Sequence, residues 1–269
     1  IFFLLLSFAN VKDSINVQNE RMTLSRAWPS LRHNRPWFVF AVNIFLMWGA
    51  FFFQTGALVY FFNYYVGDPN ITAVAAGIST FVPLLGTLTV PFMAARMKKR
   101  HVYLLSCAIN LAGMIVMIFS GSAITGLLAG ATILSIGAGQ RTAIYFSMQA
   151  DPVDYGEWKT GINTAGILTS INGFLGKVAM AGAGAISGIL LSAGGYVANH
   201  AQNPQALLAI KACYLYIPAA LILCSMFWIG CYYRLDDKYE KIKSELDKRK
   251  TENDNNSGRK EAPQTVNNL

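Results

Sequence analysis

The chain has 269 residues, of which 54% are hydrophobic and 13% charged, and its formal net charge is +8 at pH 7. The apolar residues fall in long blocks of about 20, the length a helix needs to cross a hydrocarbon core about 30 Å thick, so a soluble globular domain is excluded. The basic residues sit in the joints between blocks instead of on one face, which excludes a nucleic-acid surface and leaves the lipid bilayer as the first partner.

In chain order, residues 1–9 are apolar but too short to cross, with neither an initiator Met nor the basic start and cleavage site of a secretory signal. The expectation is a chain that begins inside a helix, as a truncated gene product or fragment would; a signal remnant or an internal start is the alternative. Between Asn10 and Pro36, Leu24, Trp28 and Leu31 recur at helical spacing beside Arg21, Arg26 and Arg32. That pattern predicts a short amphipathic helix on the membrane surface, and residues 1–36 read as the end of a preceding span plus a cytoplasmic connector. Six spans follow, near residues 37–65, 71–95, 102–119, 125–150, 162–196 and 205–233. The fold class is therefore all-α, a polytopic membrane helix bundle over 37–233.

After the last span, Leu235, Tyr239, Ile242 and Leu246 form one stripe, with Asp237 and Lys241, and Glu245 and Arg249, four apart as supporting pairs. This predicts a cytoplasmic helix over 234–250. Residues 251–269 are polar, lack aromatics and are expected to be disordered.

Lys and Arg cluster before the first span, between the second and third and after the last, while the intervening joints have none. By the positive-inside rule both ends face the cytoplasm of a cell whose inner membrane holds the protein. Cys107, Cys213, Cys224 and Cys231 match no metal spacing and read as small packing residues. Tyr60, Phe61, Phe62, Tyr64 and Tyr65, like Trp37, Tyr232 and Tyr233, read as interfacial anchors. The span after Gly161 is rich in glycine, and Gly184 with Gly188 predicts a close helix contact.

Charged groups at membrane depth are costly and mark function. Arg141 lies about 15 Å along its helix from Asp151, and Lys177 about 21 Å along the next from Asn163, at 1.5 Å per residue. Both fall near the midplane without an acidic residue at that depth, so their partner is a missing half, the carboxylates of a coupling site, or an anionic solute. Lys211 lies near the end of its span and is expected to snorkel. Asp151, Asp154 and Glu157, spaced three apart, raise the possibility of a metal-dependent diphosphate enzyme. That chemistry needs a second acidic cluster, which the sequence lacks, so the reading is no enzyme, no metal and no cofactor beyond a coupling Na+ or H+. The three carboxylates are expected instead to latch an inward gate by pairing with basic residues of neighbouring joints.

The run from Gln149 through Asp151-Pro152-Val153-Asp154-Tyr155-Gly156-Glu157-Trp158 to Gly161, then Lys177 and Gly194-Gly195-Tyr196, resembles the glycoside-pentoside-hexuronide:cation symporter family of the major facilitator superfamily. Asn34-Arg35-Pro36 adds to the likeness, which covers all six spans. The resemblance, to a family that includes melibiose and glucuronide carriers, implies twelve spans in two halves, this chain being the C-terminal half, and sugar uptake driven by a proton or sodium gradient. It places Lys177 beside the sugar and cation sites and Asp151, Asp154 and Glu157 in the joint between the tenth and eleventh spans. Asn163 stands where the family carries Arg, Arg141 lies outside the family pattern, and the family's cation-binding aspartates belong to the absent half.

The expected function is symport of a sugar-like solute, in a cavity lined by the first, second, fourth and fifth spans. Arg141 and Lys177 would attract an anionic sugar such as a hexuronide, Tyr145 and Phe146 would stack on its ring, and Asn172 and Gln149 would bond its hydroxyls. A non-transporting membrane partner and an inert fragment are the rival readings.

Overall fold

The computed structural model describes residue 32 and residues 34–261, with side chains as far as Arg249. The amphipathic connector and residues 262–269 of the tail lie outside the described residues. Among those described, all regular structure is helical. Helix α1 (Arg35–Tyr60) passes into a π-helical turn, Phe61–Val66, and is followed by α2 (Pro69–Ala94) and α3 (Lys99–Ser120). Next come α4 (Ile124–Thr160) and α5 (Ala165–Ala193). Then α6 (Pro204–Lys211), a second π turn (Ala212–Tyr216) and α7 (Ile217–Tyr232) form one continuous rod, and α8 (Asp236–Glu261) closes the described chain.

Five stretches among the described residues are long and apolar enough to cross a membrane: α1 with its π turn, α2, α3, α5, and α6 through α7. Helix α4, expected as a sixth, is not among them. Gln140, Arg141 and Gln149 interrupt its apolar run, and its last turns carry Asp151, Asp154, Glu157 and Lys159. It nevertheless sits inside the bundle, flanked by α2 and α3, with Leu127, Leu134, Ile144 and Met148 buried.

Local chemistry sets the helix starts. Asn34 caps α1 by accepting from the Trp37 amide at 3.0 Å, with Pro36 in the first turn where its missing N–H is harmless. The Asn34 amide also donates to the Pro152 carbonyl at 2.7 Å, tying the Asn-Arg-Pro segment to α4. At α2, Asp68 accepts from the Asn70 amide at 2.8 Å and Pro69 opens the helix. Gly67, at φ 79°, ends the first π turn in a conformation that favours glycine.

Lipid tails are as apolar as the side chains they touch, so the bundle is held by close packing and interhelical hydrogen bonds. The close approaches lie elsewhere than expected. A Cβ at Gly184 or Gly188 would meet nothing within 4 Å, whereas one at Gly113 would stand 2.3 Å from the Leu134 amide nitrogen and one at Gly137 2.4 Å from that of Asn110. Glycine therefore serves the α3–α4 contact, and the α5 glycines lie on an uncovered face. A Cβ at Gly139 would reach within 2.0 Å of the Pro83 carbonyl, so α2 presses on α4 in the same way. Polar ties add direction: Tyr103 donates to Asn43 at 3.1 Å and pairs with Ser225 at 2.7 Å, which joins α1, α3 and α7 in a buried triad.

Several aromatics expected as anchors are structural. Phe61 and Phe62 are fully buried, and Phe61 stacks on Tyr214 with centroids 4.6 Å apart, so the two π turns meet through their rings. Tyr233 is buried and donates to Asp151 at 2.9 Å. Lys211 reaches Tyr65, its ammonium 4.6 Å above the ring. Of the cysteines, Cys107 and Cys213 pack inside while Cys224 and Cys231 are exposed.

Leu235, just before α8, and Ile242 and Leu246 within it are buried, as the stripe predicts. It runs to Glu261, past the expected end at 250 and into the segment expected to be disordered. Its charges pair differently from the expectation. Asp237 bonds to Lys98 of α3, Glu245 accepts from the Trp158 indole at 2.6 Å, and Arg249 donates to the Trp158 carbonyl at 3.0 Å. The expected partners along the helix give way to these contacts with the bundle, while Glu245 also lies 3.8 Å from the Lys241 ammonium one turn before it.

Candidate functional site

A cleft of about 270 Å³ opens between α1, α4 and α5. Helix α1 contributes Trp48 and Phe52, one turn apart, and α4 contributes Tyr145, Phe146 and Gln149. On α5, Thr169, Asn172, Gly173, Gly176 and Lys177 recur at three- and four-residue spacing, so one helical face supplies all of them. Gly173 and Gly176 leave that face open beside Lys177.

The aromatic wall is fixed from behind. Tyr145 stacks on buried Phe40 with centroids 5.0 Å apart and stands edge-on to Trp48 at 6.0 Å, and Trp48 stacks on Phe52 at 5.7 Å. Asn172, 5% exposed, accepts from the Trp37 indole at 3.1 Å. That bond orients its carbonyl and leaves its amide nitrogen as the donor for the cleft. Lys177 is exposed and makes no ion pair among the described residues. The arrangement offers one cation, an aromatic surface and amide groups, the set that orients a hydroxyl-rich ring with or without an acidic substituent.

Five of the six residues expected to form a solute site, Lys177, Asn172, Tyr145, Phe146 and Gln149, line this one cleft. Arg141 does not. It is 2% exposed, lies close enough to Tyr103 and Cys107 of α3 to act on them electrostatically, and its Nε and Nη1 have no hydrogen-bond partner among the described residues. Trp48, Phe52 and Thr169 went unread in the sequence, where aromatics at helical spacing are indistinguishable from packing.

The acidic run occupies the end of the bundle that carries α8. Asp151 is buried between the Lys99 ammonium at 2.6 Å and the Tyr233 hydroxyl at 2.9 Å. Burial pushes its carboxyl above the usual range, against the pull of Lys99 and Tyr233. Asp154 accepts from the Tyr239 hydroxyl of α8 at 2.7 Å, and Glu157 accepts from the Asn163 amide at 2.9 Å. Asn163 thus supplies a hydrogen bond where the family resemblance led to an expected Arg. Lys99 also stands 4.7 Å over the Tyr239 ring, so α3, α4 and α8 are clamped by one network. Among the described residues no cluster of His, Cys, Asp and Glu is suited to a metal ion.

A membrane-length helical bundle with a polar, aromatic-walled cleft at mid-helix is the architecture of a transporter domain. The chain belongs to the MFS/sugar transport protein family, whose description matches residues 1–237. It is 32% identical over 253 residues to the isoprimeverose transporter of Lactiplantibacillus pentosus, covering 93% of this chain and 52% of that protein. It is 25% identical to the glucuronide carrier protein homolog of Escherichia coli (strain K12), covering 91% and 54%. It is 27% identical to a protein of the same strain named for sulfoquinovose import, covering 92% and 54%. The chain spans about half the length of these curated relatives. The family and these relatives are transporters, not enzymes, and their work needs no cofactor.

Proposed function

We propose that this chain is the C-terminal half of a secondary active transporter that moves a sugar or sugar-derived anion across the bacterial inner membrane by symport with Na+ or H+. The observation that carries the reading is the cleft in which Lys177, Asn172 and Gln149 meet the Trp48, Phe52 and Tyr145 rings. An exposed ammonium midway along a membrane-length helix requires water or a counter-charge beside it, so the Lys177 face of α5 turns toward a solute path. The relatives named for glucuronide and sulfoquinovose support an anionic solute, and the one named for isoprimeverose supports a neutral glycoside. Lys177 binds the acidic substituent, and Arg141, buried on the helix that supplies Tyr145 and Phe146, adds positive potential where the dielectric is low.

A preceding six-span half completes the path. Only 11% of the apolar window of α2 and of α5 is buried within this chain, against 56% for α1, and α5 presents a lysine on its uncovered face. These two helices face the other half, which rocks against them. The basic ends of α1, α3 and α8 orient both termini of this half to the cytoplasm. There the network of Lys99, Asp151, Asp154 and Tyr239, with Glu157 held separately by Asn163, latches the inward gate.

The test is uptake by proteoliposomes holding the whole carrier, with a sodium or a proton gradient imposed, using a glucuronide and its neutral glucoside as a matched pair. Gradient-driven uptake is expected, with Lys177→Ala lowering affinity for the glucuronide about tenfold more than for the glucoside. Uptake indifferent to both gradients removes symport, and equal loss on the two solutes removes the anionic assignment.

A further inference from the structure

A cleft of about 650 Å³ opens where the start of α1 meets the end of α7. Arg35 of α1, Arg234 of the α7–α8 joint and Lys238 of α8 bring three cations to its wall, and Tyr155 and Tyr232 add two phenols. Asp237 is the one carboxylate among the lining residues, and its bond to Lys98 commits it elsewhere. Arg35, Arg234 and Lys238 form no ion pair among the described residues. The wall is fixed rather than improvised, because the Val39 carbonyl, at its edge, accepts from the Trp228 indole at 2.9 Å and ties α1 to α7. Three uncompensated cations on two joined helices call for an anion, and the two guanidiniums suit the oxygens of a phosphate, which they can grip in pairs.

The surroundings narrow the anion further. The cleft lies where two membrane-length stretches end, α1 with its π turn and the rod of α6 through α7. Beyond Arg35, α1 exposes Phe38, Val42 and Phe45 at three- and four-residue spacing, so they share its face. Back from Cys231, which lines the cleft, α7 exposes Phe227 and Leu223 at steps of four. Each stripe therefore starts at a cleft residue and runs into the span. A soluble anion would use the cations alone, whereas an anion that carries acyl chains uses the cations and both stripes. Basic clefts between spans at the cytoplasmic surface are matched to acidic headgroups in this way.

We infer that this cleft binds the headgroup phosphate of an anionic phospholipid, such as phosphatidylglycerol, whose acyl chains lie along the α1 and α7 stripes. Its assignment to the cytoplasmic leaflet rests on the orientation proposed above, while the site itself rests on the cleft. Arg35 stands about 20 Å along α1 from Trp48 of the solute cleft, so the two sites are separable by experiment.

Cys231 is exposed in the wall and reports occupancy. The whole carrier, with its other cysteines replaced by Ser, is placed in nanodiscs of phosphatidylcholine, alone or with a minority of phosphatidylglycerol. An uncharged water-soluble maleimide is the label, since its local concentration does not follow the surface potential. Phosphatidylglycerol is expected to slow labelling about fivefold, and Arg35→Gln with Arg234→Gln to remove most of that protection. A rate that phosphatidylglycerol leaves unchanged overturns the site, and so does slowing that persists in the double variant, which assigns it to the bulk bilayer. Free glycerol 1-phosphate, added to phosphatidylcholine nanodiscs, is expected to change the rate less than about twofold. Protection equal to that of the lipid makes this a soluble-anion site and overturns the lipid assignment. Should the double variant fail to fold, Lys238→Gln on the exposed side of α8 carries the same comparison, with about half of the protection expected to go and its full retention counting against the site. None of these outcomes involves the solute, so the transport reading stands or falls on uptake alone.

Discussion

An ammonium group on a helix of membrane length is legible in a sequence because hydrocarbon tolerates it so poorly, and Lys177 is the one expected site cation that reaches a cleft. Arg141 carries the same sequence signal yet is buried against α3. Depth along a helix follows from counting residues, whereas the face a side chain takes depends on which helices flank it, and that is a tertiary fact. Asn172 has a double role that no spacing reveals, since it lines the cleft and holds the Trp37 indole. Replacing it by Ala strands a buried N–H and is expected to cost about 1–3 kcal/mol, read as a lower melting temperature in detergent. Asn172→Gln offers the same carbonyl from a longer arm and is expected to recover part of that loss.

At the scale of elements, the sequence yields helix positions and the buried stripe of α8 but misplaces the tight contacts. Glycine density draws attention to α5, while the sterically locked glycines sit at the α3–α4 crossing, because density marks an open face as readily as a close one. Gly137→Ala is expected to destabilise the bundle by about 1–3 kcal/mol, since its Cβ would collide with backbone. Gly184→Ala meets nothing within this chain and is expected to cost less than Gly137→Ala, and a comparable loss in both would refute the assignment. The clamp of α8 carries a pH signature. A hydrogen bond from Lys98, reinforced by its charge, holds the Asp237 carboxyl below the usual range. A depressed folded value means that the pair's contribution is complete above the unfolded carboxylate range and is lost as pH falls through the folded value. Melting curves of the wild type and Asp237→Asn are therefore expected to differ at neutral pH and converge under acid; a gap that persists at low pH would show that the charge is not responsible.

For the whole molecule, membership in the sugar transport family was readable from the acidic run and Lys177, whereas the division of the interior into two clefts, one between α1, α2 and α4 and one between α1, α4 and α5, was not. The division arises because α1 stands between α2 and α5, an arrangement fixed by the Asn34 tie to α4 and the Asn43–Tyr103–Ser225 triad. The central claim is that the Lys177 cleft receives the solute, and Trp48 in its wall can report on this directly. In the whole carrier with its other tryptophans replaced by Phe, titration with a transported glycoside is predicted to change Trp48 emission saturably, and Lys177→Ala is predicted to shift the midpoint about tenfold for an acidic solute. Emission that stays flat across concentrations that saturate uptake would contradict the claim.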